Sequence, residues 1–137
     1  MKIGILGGGG WGTSLALHLY RKKFDITIWF HSEETLNVVK ETRENVYYLP
    51  GFIIPNEINL TNSIEEIVEL SEIIFIVVPS QFVRDVLTKI DKRKIGNKIF
   101  LIASKGIEMK TGKRVSEVLE EVLETKDYAI LSGPNFS

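Results

Sequence analysis

The chain has no cysteine, which removes a disulfide framework, a thiolate nucleophile and a cysteine-built zinc site at once. Its two histidines, His18 and His31, are too few for a His-rich metal cluster, so no metal is expected. An excess of one charge is lacking too. Seventeen Lys and Arg stand against eighteen Asp and Glu, and a net charge of −1 gives no support to a nucleic-acid or anionic-membrane partner. The longest apolar run, Ile73 to Val78, falls far short of the ~20 residues a membrane-spanning helix needs. Glycines from Gly7 onward interrupt any signal-peptide core after Met1-Lys2. What remains, at 137 residues with 44% apolar and 26% charged, is the composition of one globular domain. The expectation is a single soluble domain over 1–137 in a reducing, cytoplasmic compartment.

Short apolar runs alternate with helical patterns along the chain. Lys2-Ile3-Gly4-Ile5-Leu6 reads as a buried strand, and Trp11 to Lys22 then carries Leu15 and Leu19 at helical spacing. Ile26 to Phe30 is a second strand, after which Ser32 is placed to cap a polar helix through Leu36 and Val39. From Val46 to Leu60 the pattern loosens, and Pro50, Gly51 and Pro55 predict a long loop and a short third strand. Ser63-Ile64-Glu65-Glu66 is a capping-box signature. The strongest strand, Glu72 to Val78, is stopped by Pro79 and followed by an amphipathic face of Phe82, Val83, Val86, Leu87 and Ile90. Ile99 to Ala103 is the next strand. Val115 to Leu123 is a helix whose outer face, Glu117, Glu120, Glu121 and Glu124, is expected to be solvated, and Tyr128 to Leu131 closes the series. Continuous apolar strands separated by helices require a mostly parallel sheet covered on both faces. The expected fold is α/β, a Rossmann-type doubly wound sheet.

Five of the eleven glycines fall between Gly7 and Gly12, spelling G-x-G-x-x-G at Gly7, Gly9 and Gly12. That hexapeptide is weak alone, but here it follows a strand and opens a helix. Its glycines serve a tight turn, a close backbone approach to a pyrophosphate, and close helix–strand packing, while the helix N-terminus faces the phosphates. The residue that reads the adenosine ribose belongs at the end of the second strand, which holds Trp29-Phe30-His31-Ser32 with no carboxylate before Glu33. His31 and Ser32 can donate hydrogen bonds there, so a 2′-phosphate is tolerated.

In a parallel sheet all strands end on one edge, where ligands bind. That edge gathers Gly7–Gly12, His31, Pro79-Ser80, Lys105-Gly106 and Gly133-Pro134-Asn135. Lys105 is the only charged residue from Ile99 to Ile107, and a cation there can polarise a substrate carbonyl during hydride transfer. No H-E-x-x-H, Gly-x-Ser-x-Gly or Walker sequence offers a competing chemistry.

Gly7-Gly8-Gly9-Gly10-Trp11-Gly12-Thr13-Ser14-Leu15-Ala16, Tyr48-Leu49-Pro50-Gly51, Val78-Pro79-Ser80, Ser104-Lys105-Gly106-Ile107-Glu108 and Ser132-Gly133-Pro134 occur in that order. In this the chain resembles NAD(P)-dependent glycerol-3-phosphate dehydrogenase from Lys2 to Ser137. The resemblance implies NADP or NAD as cofactor, with Gly7, Gly9, Gly10, Trp11, Gly12, His31, Ser32, Tyr48, Lys105 and Ser137 as its contacts. It implies Lys105, Gly133 and Asn135 as contacts of glycerol 3-phosphate, Lys105 being the catalytic group that orients the C2 oxygen. The family shows Ser or Thr where Asn135 stands and Ala where Ser137 stands.

The implied activity is reversible hydride transfer between glycerol 3-phosphate and a nicotinamide, giving dihydroxyacetone phosphate and serving phospholipid synthesis. The family's second, helical domain carries the lysine base and most substrate-phosphate ligands, so the chain is expected to be the cofactor-binding portion, with a homodimer in the full-length form. Two rivals remain: another two-domain hydroxy-acid dehydrogenase, and a dinucleotide-binding or redox-sensing module without turnover. The segment Lys105-Gly106-Ile107-Glu108 argues against the first rival, and turnover by the purified chain separates the second.

Overall fold

The computed structural model describes residues 1–131. Strand β1 (Lys2–Leu6) leads through the glycine cluster into α1 (Gly10–Arg21), β2 (Asp25–Trp29) and α2 (Glu33–Thr42). A ribbon of β3 (Glu44–Asn45) and β4 (Leu49–Ile53) follows, then β5 (Asn59–Thr61), α3 (Ile64–Leu70), β6 (Ile73–Ile76) and α4 (Ser80–Thr88). A 3-10 turn at Lys92–Lys94 precedes β7 (Ile99–Ile102), α5 (Val115–Leu123) and β8 (Tyr128–Ile130).

Six strands form one sheet in the order β5-β2-β1-β6-β7-β8, each paired in parallel with its neighbours. From β1 the chain winds outward through β2 and β5, then returns to β6 on the opposite side. That reversal opens a crevice at the C-terminal ends of β1 and β6, as a doubly wound sheet requires. Side chains alternate between two apolar layers. Ile3, Ile5, Ile26, Ile28 and Phe75 pack with Leu15, Ala16, Leu36 and Val39 from α1 and α2. Ile74, Ile76, Phe100 and Ile102 pack with residues of α3, α4 and α5, among them Ile67, Val83, Leu87 and Leu119.

Three local expectations need correction. The 46–60 stretch holds more than a loop and one strand. Asn45 pairs with Leu49 and Glu44 with Ile53 in an antiparallel ribbon of irregular register. Pro50 and Gly51, the latter at φ 90°, lie inside β4 and hide it from any propensity pattern. What holds the ribbon is tertiary. Ile54 N–H donates to the Arg43 carbonyl at 2.7 Å, and the Arg43 guanidinium donates to Asn56 and Ile58 at 3.0–3.2 Å. Phe82 does not join the packed face of α4; it is 50% exposed and turned to the crevice. Of the glutamates expected on the solvated face, Glu117, Glu121 and the C-cap Glu124 are exposed but Glu120 is half-buried, and all four are engaged. Glu117 pairs with Arg114, Glu121 with Arg84 and Lys113, and Glu124 with Lys92, while Glu120 accepts from the Tyr128 hydroxyl.

Among the described residues no helix is long and apolar enough to cross a membrane. Nor do any three of their His, Asp or Glu side chains cluster as metal ligands.

Candidate functional site

A cavity of about 460 Å³ lies at the ends of β1, β2 and β6. The loop Gly7 to Gly12, with Trp11, forms one wall. His31 and Ser32 line the β2 end, Tyr48 closes over from the ribbon, and Val78, Pro79 and Phe82 form the far wall. The structure thus brings Gly7, Gly9, Gly10, Trp11, Gly12, His31, Ser32 and Tyr48 together around one space. Lys105 is exposed and is not among the residues lining it. Gly133, Asn135 and Ser137 lie outside the described residues.

The glycines are not interchangeable. A Cβ on Gly12 would overlap the Gly7 carbonyl oxygen, so Gly12 is demanded by the protein's own packing of α1 on β1. A Cβ on Gly10 would stand 2.8 Å from the Tyr48 carbonyl oxygen. A Cβ on Gly9 would meet nothing within 4 Å, and its φ of −76° is open to any residue. Neither fold nor backbone asks for glycine at that position, so the free space in front of it suits a close-approaching ligand.

The start of α1 points the same way. Ser32 caps α2 by accepting from Thr35 N–H at 3.2 Å, and Ser63 caps α3 by accepting from Glu66 N–H at 3.2 Å. Both helices place two glutamates in their first turn. Helix α1 has Gly9 at its N-cap, hence no side-chain cap, and no acidic residue in its first turn. Its N-terminal partial positive charge is therefore left to face the cavity, where an anion is stabilised.

At the end of β2, Trp29 is 3% exposed and belongs to the core. Its ring stands edge-on to His31, with centroids 5.9 Å apart, and its buried Nε1 has no hydrogen-bond partner. The same two rings border a second cavity of about 420 Å³ that also meets Glu33, Glu65 and Lys89. Ser32 spends an acceptor lone pair on the cap, which leaves its hydroxyl proton free to donate.

One site residue escaped the sequence reading. Asn45 is completely buried; its amide donates to the Gly8 carbonyl at 2.7 Å and Thr13 Oγ1 at 3.0 Å, and its Oδ1 accepts from Tyr48 N–H at 3.3 Å. It ties the ribbon to the glycine loop and sets Tyr48 over the cavity. A lone Asn between Glu and Val carries no spacing signal, and only the folded contacts disclose it.

Lys105 follows β7 in a loop held against β6 and α4. Ser104 Oγ donates to the Val78 carbonyl, and a Cβ on Gly106 would lie 3.4 Å from Ser80 Oγ. Beyond it, buried Glu108 accepts from Arg84 Nε at 2.8 Å and Nη2 at 3.0 Å. The hydrogen bonds from Arg84, then that from Thr111, hold the Glu108 carboxyl well below its ordinary value, at about 2. The Arg84 guanidinium is raised in turn, first by Glu108 and then by Glu121.

Residues 2–137 match the profile of the NAD-dependent glycerol-3-phosphate dehydrogenase N-terminus. The chain belongs to this family. Glycerol-3-phosphate dehydrogenase [NAD(P)+] of Thermoanaerobacter sp. is 42% identical over 137 residues, covering 98% of this chain and 40% of the relative. That of Chlorobium phaeobacteroides is 40% identical over 138 residues, covering 98% and 41%. The crystal structure of glycerol-3-phosphate dehydrogenase from Coxiella burnetii superimposes with a TM-score of 0.88 at 30% identity, over 97% of this chain and 41% of that one. The chain therefore spans about two fifths of the length of the relatives it matches. It is the N-terminal portion of the glycerol-3-phosphate dehydrogenase fold, and its cavity offers an open Gly9, an uncapped α1, and an apolar wall of Val78, Pro79 and Phe82.

Proposed function

We propose that the chain is the cofactor-holding part of an NAD(P)-dependent glycerol-3-phosphate dehydrogenase. The single observation that carries this is Gly9, a glycine that packing does not require, at the mouth of an uncapped helix facing the cavity. The backbone N–H groups of the α1 N-terminus would hold the pyrophosphate. Trp11 and Tyr48 would flank it, while His31 and Ser32 would meet the adenosine ribose, donating to NADPH at least as well as to NADH. A bound nicotinamide supplies the hydride acceptor or donor. Lys105, kept protonated, would polarise the C2 oxygen of glycerol 3-phosphate or dihydroxyacetone phosphate, with Gly133 and Asn135 as further substrate contacts and Ser137 as a further cofactor contact.

A protonated lysine that polarises an oxygen cannot also accept its proton. The base and most phosphate ligands are therefore assigned to a helical domain of the whole protein. The same reading gives the whole protein a place in phospholipid synthesis, a cytoplasmic setting and a homodimeric form. The deciding experiment is a titration of the 137-residue chain with NADPH and NADH, read by quenching of Trp11 and Trp29, beside an assay with dihydroxyacetone phosphate. Binding without turnover is expected. No binding of either dinucleotide sinks the proposal. Turnover at ordinary enzyme rates, ~1–10³ s⁻¹, places the base inside these residues and removes the assignment to a second domain.

A further inference from the structure

We propose that the Arg84–Glu108 ion pair is the positioning device for Lys105, fixing the loop that carries it against the β6–α4 segment. The inference rests on the proposed function, with Lys105 taken as a contact of the bound dinucleotide as well as of the substrate.

The loop carrying Lys105 is tied to the β6–α4 segment at two points, one on each side of it. Before Lys105, Ala103 N–H donates to the Ile76 carbonyl at 2.8 Å, and Ser104 Oγ donates to the carbonyls of Ile76 and Val78. After it, the Glu108 carboxylate takes both Nε and Nη2 of Arg84. Only Lys105, Gly106 and Ile107 lie between these anchors. Gly106 stands at φ 89°, a backbone conformation other residues rarely adopt, and Ile107 is bridged to Arg114, so the far side of the span is tied at Ile107 as well as at Glu108.

Arg84 is well placed to act as the far anchor. It sits on α4 between Phe82 and Val86, two residues of the crevice wall, so wall and lysine loop are referred to one helix. Its guanidinium is itself gripped from α5 by Glu121 at 2.6 Å. A two-pronged carboxylate contact fixes direction as well as distance, which a single hydrogen bond does not. Glu108 also organises the loop on its own side. Thr111 Oγ1 donates to its carboxylate at 2.6 Å, Gly112 N–H donates to its backbone carbonyl at 2.7 Å, and its own N–H donates to the Lys113 carbonyl at 2.8 Å. Glu108 is 7% exposed, and a carboxylate that deep needs its counter-charge to stay where it is. Neither Arg84 nor Glu108 lines the cavity.

The test is Glu108→Gln, which keeps the shape and removes the charge. Lysine acetylation by acetic anhydride is mapped by mass spectrometry with and without saturating NADPH, beside amide hydrogen exchange and an NADPH titration. In the unmodified chain bound NADPH should shield Lys105. In Glu108→Gln the NADPH affinity should change by less than about threefold, because the glycine loop is a separate site. Shielding of Lys105 should fall by about tenfold, and exchange at residues 104–107 should rise by about tenfold. Shielding and exchange both as in the unmodified chain would overturn the proposal and leave the pair a mere α4–α5 clasp. Faster exchange at 104–107 with a Lys105 that NADPH never shields, even in the unmodified chain, supports the anchoring and defeats only the cofactor reading of Lys105. If Glu108→Gln does not fold, Arg84→Lys, which keeps the charge and loses the fork, is judged by the same two readouts.

Discussion

Two loops on the C-terminal edge of the sheet, one after β1 and one after β7, are built on opposite principles. The glycine loop is shaped by backbone and by the lack of side chains: no acid in the first turn of α1, no cap on it, and open space before Gly9. The Lys105 loop is shaped by side chains in ionic contact, with Glu108, Arg84, Glu121 and Lys113 in one network. Backbone geometry follows from spacing along the chain, whereas an ionic clamp depends on residues brought together across it. Glu108 and Arg84 are 24 positions apart. The first region should be sensitive to volume and indifferent to acid, the second the reverse.

The largest effect that sharpens this contrast belongs to Gly12→Val. The added side chain collides with the Gly7 carbonyl inside the α1–β1 contact, and overpacking there costs about 1–3 kcal/mol or more. Thermal denaturation should show a strongly lowered midpoint or no folded chain. Next comes Gly9→Val, which meets open space. Circular dichroism and melting should stay as in the parent, while dinucleotide affinity drops about 100-fold, roughly 2.7 kcal/mol. A folded Gly9→Val chain that binds normally would falsify the phosphate-loop assignment and erase the distinction between the two glycines.

Asn45→Ala removes the tie between ribbon and loop and leaves the Gly8 carbonyl without that donor. A loss of about 1–2 kcal/mol in denaturant unfolding is expected, together with weaker dinucleotide binding through Tyr48. An unchanged affinity would show that the ribbon does not help to shape the site.

Acid should act on the other region. The folded Glu108 carboxyl lies at about 2 against an ordinary 4.5. A group so depressed stabilises the fold fully above 4.5, and that contribution is lost as pH falls through about 2. Glu121, lowered by Arg84 and then Lys113, adds in the same direction. Protection from hydrogen exchange along residues 104–114, taken relative to the intrinsic rate at each pH, should therefore fall between those limits before protection at residues 7–12 does. Simultaneous loosening of both would break the comparison.

The smallest effect is at His31. Unmodified chain should bind NADPH at least as tightly as NADH, and His31→Asp should move the ratio several-fold toward NADH through repulsion of the 2′-phosphate. Competition titration decides it. A parent chain that already favours NADH would overturn the donor role given to His31 and Ser32, and would direct attention to Glu33 and Glu65 in the adjoining cavity.

Residue order by itself determined the parts whose physics is local. The run Ile73 to Val78 reads as a buried strand, and β6 takes its first four residues; serines at 32 and 63 satisfy the N–H groups of the helix that follows; and glycines at 7, 9 and 12 mark the passage from strand to helix. Tertiary structure decided the rest. It made a ribbon of a segment broken by Pro50 and Gly51, buried Asn45 against Gly8, turned Phe82 from the core to the crevice, and converted a row of α5 glutamates into partners of Arg84, Lys92, Lys113 and Arg114. It also separated Gly12, which the fold requires, from Gly9, which it does not. The reason is the same in each case. Periodicity and capping act within a turn or two of the chain, while a buried amide, an ion pair or an empty space is defined by atoms that meet only after the sheet has formed.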